Sequence, residues 1–326
     1  MRHDQLDNAA RAVFHSEPCC ALSSSPFGRE LLSGLHAQPR VVSPKWFYDE
    51  AGSLLFEQIT QVPEYYPTRT EMTLLERHAS EMAAHIGPGA EVVEFGAGAS
   101  RKVRLLLSAL EAPRRFLPID ISGVHLAKAA ELLQREHPDL AVLPVVCDFT
   151  QALELPPPMG RRVGFFPGSS IGNFEPVQAQ ALLRKMAGWM AAGGLLVGID
   201  LVKEPALLQA AHNDAKGMTA AFNLNLLGRA NRELGADFDL TQFAHSAFFN
   251  PPLSRIEMHL VSRRRQTVQL CGQRIEFAEG VSVHTECSYK YTVESFQRLA
   301  LSAGWVPCAV WVDDARWFSV HWLEPA

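Results

Sequence analysis

The segment Glu91–Phe95 is a short apolar run that ends directly in Gly96-Ala97-Gly98. Residues Lys102–Leu110 follow with the spacing of an amphipathic helix. A strand, a glycine turn and a helix in this order predict the first unit of a parallel sheet covered by helices. This unit constrains the fold most, because glycines at the end of a strand let a ligand approach the backbone closely.

The same alternation of strands and helices continues along the chain. Further strands are predicted at Arg115–Ile119, Ala141–Val146, Arg162–Phe166 and Gly194–Leu201, and helices at Val124–Glu136 and Gln178–Met190. The last segments are again predicted to belong to this sheet and its helices, with a helix at Ser295–Ala303 and a closing hairpin of Trp305–Trp311 and Trp317–Trp322. The pattern predicts an α/β fold with a doubly wound parallel sheet.

The pattern differs between residues 203 and 290. A helix around Asp214–Leu234 is followed by alternating apolar segments at His259–Ser262, Thr267–Leu270 and Arg274–Phe277, with no helix between them. Such segments favour an antiparallel or mixed sheet, so we expect a second α+β domain. Near the start of the chain, only Asp7–Phe14 is expected to form a short helix.

Composition narrows the classes of partner. The chain of 326 residues is 47% hydrophobic and carries a net charge of -5, from 30 Lys and Arg against 35 Asp and Glu. A globular protein of this charge has no built-in attraction to nucleic acid or anionic lipid, so a small-molecule partner is expected. No apolar stretch is long enough to span a bilayer and no secretory signal is evident, which predicts a cytoplasmic protein. The six cysteines and twelve histidines show no metal-ligand spacing, so no metal is expected.

The glycine turn departs from the dinucleotide fingerprint. That fingerprint requires a third glycine or alanine at the position that Arg101 occupies, so a nicotinamide dinucleotide is disfavoured. Glu94-Phe95-Gly96-Ala97-Gly98 resembles instead the first motif of class I S-adenosylmethionine (SAM)-dependent methyltransferases. An alternative is that the glycines only form a tight turn.

Two further strand ends support a SAM site. Asp120 lies 24 residues after Gly96, where an acid accepts hydrogen bonds from ribose hydroxyls. Asp148 and Phe149 follow the next strand, where methyltransferases place an acid for the adenine amino group and an apolar neighbour for its ring. The alternative reading makes both acids helix caps.

The end of the fourth strand bears on the substrate. Many nucleic-acid and protein amino-methyltransferases carry an Asn/Asp-Pro-Pro-aromatic motif there, but this chain has Pro167–Phe174 (PGSSIGNF). The similar tetrad Asn250-Pro251-Pro252-Leu253 lacks the aromatic residue and is interpreted as a loop. Nucleic acid is therefore not expected as a substrate.

Seven motifs together resemble the L-histidine Nα-methyltransferases of ergothioneine biosynthesis, over nearly the whole chain from about residue 20. They are Pro44–Asp49, Pro63–Arg69, Pro167–Phe174, Asp200–Lys203, Phe222–Asn225, Arg255–Met258 and Thr285–Ser288. The resemblance implies trimethylation of the α-amino group of L-histidine to hercynine, with one SAM consumed in each of three rounds. It also implies a SAM-binding domain, 70–200 plus 291–326, interrupted by a substrate domain, 17–69 plus 201–290. We expect a monomer.

The resemblance also implies roles for individual residues. It places Gly96, Lys102, Asp120, Asp148 and Phe149 on the cofactor. It places Tyr48, Tyr65, Gly168 and Asn173 around the amine and carboxylate of the substrate, and Met258, Glu286 and Ser288 around its imidazole, with Tyr48 as the catalytic candidate. One position departs from the family: His212 stands where the family has a tyrosine that holds the substrate carboxylate.

The sequence is compatible with two other functions. In the first, the protein is a related N-methyltransferase of the same architecture that acts on another amino acid or small amine. In the second, the protein senses SAM or histidine without turnover, so that it binds both with the same residues but releases no S-adenosylhomocysteine.

Overall fold

The computed structural model describes residues 25–190 and 192–326. The strands, numbered in chain order, are β1 (Arg40–Val41), β2 (Glu91–Phe95), β3 (Arg115–Asp120), β4 (Ala141–Val142), β5 (Val145–Val146), β6 (Arg162–Phe166), β7 (Gly194–Asp200), β8 (Phe243–Asn250), β9 (Arg255–Ser262), β10 (Gln266–Leu270), β11 (Gln273–Phe277), β12 (Ser282–Tyr289), β13 (Trp305–Val312) and β14 (Phe318–Pro325). The helices are α1 (Pro26–His36), α2 (Glu50–Ile59), α3 (Tyr66–Ile86), α4 (Arg101–Ala109), α5 (Gly123–Glu136), α6 (Pro176–Trp189), α7 (Pro205–Ala210), α8 (Met218–Leu234) and α9 (Val293–Ser302).

The larger sheet contains eight strands in the order β13-β14-β7-β6-β2-β3-β4, with β5 also paired to β3. Strands β7, β6, β2 and β3 are parallel, and β14 and β13 close one edge as an antiparallel hairpin. The chain runs from β2 outward to β3 and returns to β6 on the other side of β2. The carboxyl ends of β2 and β6 therefore flank the switch point, where open α/β sheets bind ligands.

Both faces of this sheet are covered, as the near-continuous apolar strands require. Successive residues of β2 belong to different cores: Val92 packs with α3 and α4, whereas Val93 packs with α6 and α9. Apolar residues at helical spacing provide the opposing surfaces, for example Leu182, Leu183 and Met186 of α6. The predicted doubly wound α/β sheet is confirmed.

A second sheet, in the order β1-β12-β9-β8, lies beside the first, and β10 and β11 form a separate hairpin. Helix α8 packs on this sheet through Phe222, Leu226 and Leu227, which share a core with Ile256 and Leu260 of β9. The predicted α+β character of this part is confirmed. The division into domains 17–69 plus 201–290 and 70–200 plus 291–326 stays a prediction, supported by the pairing of β1 with β12.

Several local predictions need correction. The strand expected over Ala141–Val146 is split into β4 and β5, because Pro144 has no N–H to donate to a ladder. The helix expected from Asp214 begins at Met218, since the Asp214 carboxylate accepts hydrogen bonds from the backbone N–H groups of Met218 and Thr219. Strands β8 and β12 were not predicted. The helix expected at Asp7–Phe14 lies outside the described residues.

The tetrad Asn250–Leu253 forms a short 3₁₀ turn between β8 and β9, as its interpretation as a loop predicts. Within residues 25–190 and 192–326, no helix combines the length and the apolar character that crossing a membrane requires.

Candidate active site

A cavity of about 850 Å³ opens at the switch point of the larger sheet. This volume is typical of sites that bind a cofactor or a drug-sized ligand. The five residues predicted to bind the cofactor all line it: Gly96, Lys102, Asp120, Asp148 and Phe149.

The glycine turn forms one wall of this larger cavity. Gly96 and Gly98 have φ angles of +71° and +49°, and a Cβ added to either would contact nothing within 4 Å. Both glycines thus combine a left-handed backbone with open space on the cavity side, which a side chain would obstruct. The N–H of Gly98 donates to Asp120 Oδ2 at 3.0 Å, so the turn and the next strand end are joined.

Asp120 is held from two directions. Its Oδ1 accepts the Ser122 N–H at 2.8 Å, while Oδ2 binds Gly98. A carboxylate oxygen can accept more than one hydrogen bond, so both oxygens of Asp120 can still accept from ligand hydroxyls. The fixed carboxylate fits the predicted contact with a ribose.

Asp148 and Phe149 also line the larger cavity. Asp148 accepts the Thr150 N–H at 2.9 Å and forms an ion pair with Lys45 at 3.2 Å. Burial opposes ionisation, but these partners hold the pKa of Asp148 below its usual range. Phe149 packs edge-on against Phe95. Lys45, which also pairs with Glu30 at 2.8 Å, was not predicted as a site residue.

Lys102, which lines the larger cavity, contacts the buried acid Glu71. Its Nζ lies 2.5 Å from Glu71 Oε2, and Glu71 also accepts the N–H of Gly168 at 2.9 Å. A Cβ on Gly168 would lie 3.2 Å from Lys102 Nζ, and its φ is +78°. Glu71 thus fixes both Lys102 and Gly168, a role that the sequence pattern did not predict.

A smaller cavity of about 70 Å³ adjoins the larger one. All eight residues predicted to surround the substrate line it: Tyr48, Tyr65, Gly168, Asn173, His212, Met258, Glu286 and Ser288. Five of them, namely Tyr48, Tyr65, Gly168, Asn173 and Glu286, also line the larger cavity. The structure therefore brings the predicted substrate residues together and sets them against the predicted cofactor residues.

Four polar groups at this junction are available to a ligand. The hydroxyls of Tyr48 and Tyr65, the amide of Asn173 and the carboxylate of Glu286 border the smaller cavity, and none of these side chains is hydrogen-bonded to the part of the chain that the structure describes. These groups can therefore pair with a polar ligand in the cavity without first breaking a hydrogen bond within the chain.

The tyrosines remain protonated at neutral pH. Burial, with Glu286 nearby, raises the pKa of both Tyr48 and Tyr65 well above the usual range. Either hydroxyl can donate or accept a hydrogen bond, but neither supplies a phenolate base.

Glu286 is one of two carboxylates that line the smaller cavity, the other being Asp200. It pairs in register with Met258 of β9, next to a β-bulge between His284 and Glu286. Burial raises the pKa of Glu286 to about 7, and the positive charge of Lys290 acts against this rise. The carboxyl group therefore changes its ionisation near neutral pH.

His212 lines the smaller cavity as a neutral ring. Its Nδ1 lies 3.0 Å from the carbonyl oxygen of Leu208, which only accepts, so Nδ1 carries the proton. Burial lowers the pKa of His212 to about 3. Nε2 is consequently an acceptor at neutral pH and has no proton to donate to a carboxylate, unlike the tyrosine expected at this position.

A buried charge network borders the smaller cavity, where Asp200 and Lys290 are lining residues. Asp200, at the end of β7, accepts hydrogen bonds from Lys203 at 2.5 Å, Lys290 at 2.6 Å and Tyr66 at 2.8 Å. Lys290 also donates to Ser288 Oγ at 2.8 Å. Burial alone would raise the pKa of Asp200, but the two lysines lower it. Sequence reasoning missed Lys290, although its period-2 spacing from Glu286 and Ser288 indicates a shared face.

Comparison with known proteins agrees with this geometry. Residues 27–325 match the family described as histidine-specific, SAM-dependent methyltransferases. The chain is 42% identical over 298 residues to the histidine N-alpha-methyltransferase of Mycolicibacterium smegmatis. This alignment covers 90% of this chain and 92% of that protein. The chain is 40% identical over 298 residues to the protein of the same name from Mycobacterium tuberculosis, with the same coverage of 90% and 92%. It is 30% identical to ergothioneine biosynthesis protein 1 of Neurospora crassa, over 84% of this chain and 32% of that longer protein.

The sequence motifs, the doubly wound sheet and the match over most of the chain agree with one another, and they confirm the predicted resemblance. The chain belongs to the family of SAM-dependent, histidine-specific methyltransferases.

Proposed function

We propose that this protein transfers methyl groups from SAM to the α-amino group of L-histidine and, over three rounds, forms hercynine, as a step of ergothioneine biosynthesis. The observation that carries the proposal is the junction of the two cavities, where the predicted substrate residues border the predicted cofactor residues. The names of the bacterial and fungal relatives support the substrate and the pathway.

The residues of the larger cavity fit SAM. Gly96 and Gly98 leave space for the methionine part, Asp120 has acceptor capacity for the ribose, and Asp148 and Phe149 provide an acid and an apolar ring for adenine. Lys102 would hold the methionine carboxylate from its position beside Glu71. When bound, SAM supplies an electrophilic methyl group on its sulfonium.

The imidazole of histidine would occupy the end of the smaller cavity that Glu286, Ser288 and Met258 form. A neutral imidazole has one N–H and one bare nitrogen, so an ionised Glu286 can accept from the first and the Ser288 hydroxyl can donate to the second. Met258 would pack against the ring. Paired hydrogen bonds of this kind discriminate between rings more strongly than an apolar pocket does.

The α-amine would lie at the junction, directed towards the larger cavity. Asn173 would hold the carboxylate, and the hydroxyls of Tyr48 and Tyr65 would orient the amine through hydrogen bonds. Because Tyr48 stays protonated, its hydroxyl would accept a hydrogen bond from an amine N–H and so direct the nitrogen lone pair. The proton that the ammonium loses before each transfer would pass to solvent water and not to this hydroxyl. Catalysis by the chain is then mainly positional, through alignment of the attacking nitrogen. The absence of a side chain at Gly168 leaves space beside the nitrogen for the methyl groups that accumulate.

Mass spectrometry of L-histidine incubated with the protein and SAM tests the proposal. We expect mono-, di- and trimethylated histidine, together with S-adenosylhomocysteine. Methylation of tryptophan, tyrosine or another amine in place of histidine would favour the related N-methyltransferase. Binding of both ligands without S-adenosylhomocysteine release would favour a sensor.

A further inference from the structure

Lys290 lies where the buried charge network meets the smaller cavity. Its side chain is 2% exposed, and its ammonium donates to Asp200 Oδ2 at 2.6 Å and to Ser288 Oγ at 2.8 Å. Lys290 also lines the smaller cavity beside Glu286. One ammonium thus connects the end of β7 with a residue predicted to contact the substrate ring.

The direction of the contact with Ser288 decides what the serine hydroxyl can do. An ammonium has three N–H donors and no lone pair, so in this bond the serine oxygen accepts. With Lys290 donating to its oxygen, the hydroxyl of Ser288 is left to donate its own proton elsewhere. Without Lys290, the same hydroxyl could rotate and either donate or accept.

We infer that Lys290 is a positioning residue for the substrate ring. It fixes Ser288 as a hydrogen-bond donor to one ring nitrogen, while Glu286, on the same face of β12, accepts from the other. The inference rests on the proposed function and assigns how the ring is selected. One fixed donor and one acceptor match a neutral imidazole, which has a bare nitrogen and an N–H. An indole has an N–H but no bare ring nitrogen, so it would leave Ser288 without an acceptor.

The surrounding charges support this assignment. Asp200 carries one negative charge, while Lys203 and Lys290 carry two positive charges around it. Asp200 is the carboxylate that pairs directly with Lys290, and the positive charge of Lys290 also reaches Glu286, the pKa of which it lowers. Lys290 thereby also favours the ionised form of Glu286, in which the carboxylate accepts the ring N–H.

Lys203 offers a matched control. It is buried and donates to the same carboxylate, Asp200, at 2.5 Å, but none of its hydrogen bonds within the described chain reaches Ser288. Lys203→Met therefore perturbs the network as Lys290→Met does, without changing the serine. Asp200 keeps one lysine and Tyr66 in either variant, which limits the damage to the fold.

The experiment is a double-mutant cycle on the KM for L-histidine, with Lys290→Met, Ser288→Ala and the combined variant. We expect Lys290→Met to raise KM roughly tenfold, with kcat changed by less than about threefold, since one buried hydrogen bond and the charge on Glu286 are lost. In the Ser288→Ala background, the same substitution should raise KM markedly less. Lys203→Met should leave KM within about threefold of the wild type, because Lys203 is not hydrogen-bonded to Ser288 within the described residues and a factor of about three is well below the loss of a hydrogen bond to a charged group.

Equal effects of Lys290→Met in both backgrounds would overturn the inference, as would a loss of kcat with unchanged KM. If Lys290→Met does not fold, judged by its melting curve and by calorimetry with SAM, Lys290→Arg replaces it. Arginine keeps the charge and the donors, so KM should stay near the wild-type value, and a tenfold rise would contradict the positioning role. If the wild-type protein does not methylate histidine, the proposed function itself is wrong. The wild-type assay shows this before any variant is compared, so the two failures can be told apart.

Discussion

Glu286 of β12 and Met258 of β9 are register partners on one face of the second sheet, so a carboxylate and a thioether border the same small cavity. Their pairing provides a polar and an apolar contact on one ring-sized surface. Within the described residues, neither side chain is hydrogen-bonded to the glycine turn of the larger sheet, so we expect the effects on histidine to be separable from those on SAM.

Replacement of Glu286 by alanine is expected to weaken histidine binding selectively. The ring N–H would lose its acceptor, and KM for histidine should rise by roughly tenfold to a hundredfold, the range for a hydrogen bond to a charged group. SAM affinity, measured by calorimetry, should change less than about threefold, since Glu286 is not among the residues predicted to hold the cofactor. An unchanged KM would remove the imidazole assignment.

Glu286 should also make stability depend on pH in the absence of ligands. Its pKa is raised to about 7, so the native state binds a proton that the unfolded state has released above its usual pKa. The contribution of Glu286 to stability is therefore present at pH 4 and is lost as pH rises through 7. We expect Glu286→Gln to raise Tm relative to the wild type at pH 8 by more than at pH 5, as differential scanning calorimetry would show. An equal Tm difference at both pH values would contradict the raised pKa.

Asp120 is expected to govern SAM affinity. Asp120→Ala removes the acceptor that joins the Gly98 and Ser122 N–H groups, so calorimetry should show SAM affinity reduced by about tenfold or more. Asp139, an exposed acid after α5, provides the control, and Asp139→Ala should leave the affinity unchanged. Retained affinity in Asp120→Ala would discard the ribose role.

Substitutions of His212 test the predicted departure from the family at this position. A tyrosine hydroxyl can donate to the substrate carboxylate, whereas Nε2 of the neutral His212 can only accept. His212→Tyr should therefore lower KM for histidine by roughly threefold to tenfold, the worth of about one hydrogen bond. His212→Phe should leave KM within about threefold, because a ring without a donor resembles His212 in this respect. A large rise in KM for His212→Phe would contradict this prediction, because it would show that the imidazole of His212 itself binds the substrate.

Much of this protein was predictable from local sequence patterns. The alternation of strands and helices in the larger sheet, the SAM-dependent methyltransferase family and the position of the glycine turn are confirmed, because each depends on apolar periodicity or on a short motif. The predicted site residues line two adjoining cavities, although their individual roles stay predictions. Strand β8 escaped prediction because its sequence, Phe243–Asn250, mixes apolar and polar residues without a clear alternation.

The buried network could not be predicted in the same way. Lys290 and Asp200 are 90 residues apart in the sequence and meet only because β12 ends beside β7. The tautomer of His212 depends on a backbone carbonyl, that of Leu208, which no side-chain pattern reveals. Contacts of this kind follow from the folded geometry, so a sequence motif shows that a lysine or a histidine is present but not what it does.

The ion pair between Lys45 and Asp148 has a thermodynamic consequence. Lys45 belongs to the 3₁₀ turn Pro44–Phe47 that directly precedes Tyr48, so a residue of the predicted adenine site is tied to the segment that carries the catalytic candidate. A displacement of Lys45 on binding of the methyl donor would therefore move the segment that carries Tyr48, at the predicted substrate site. Linkage requires the effect to be mutual: the factor by which the donor changes histidine affinity equals the factor by which histidine changes donor affinity.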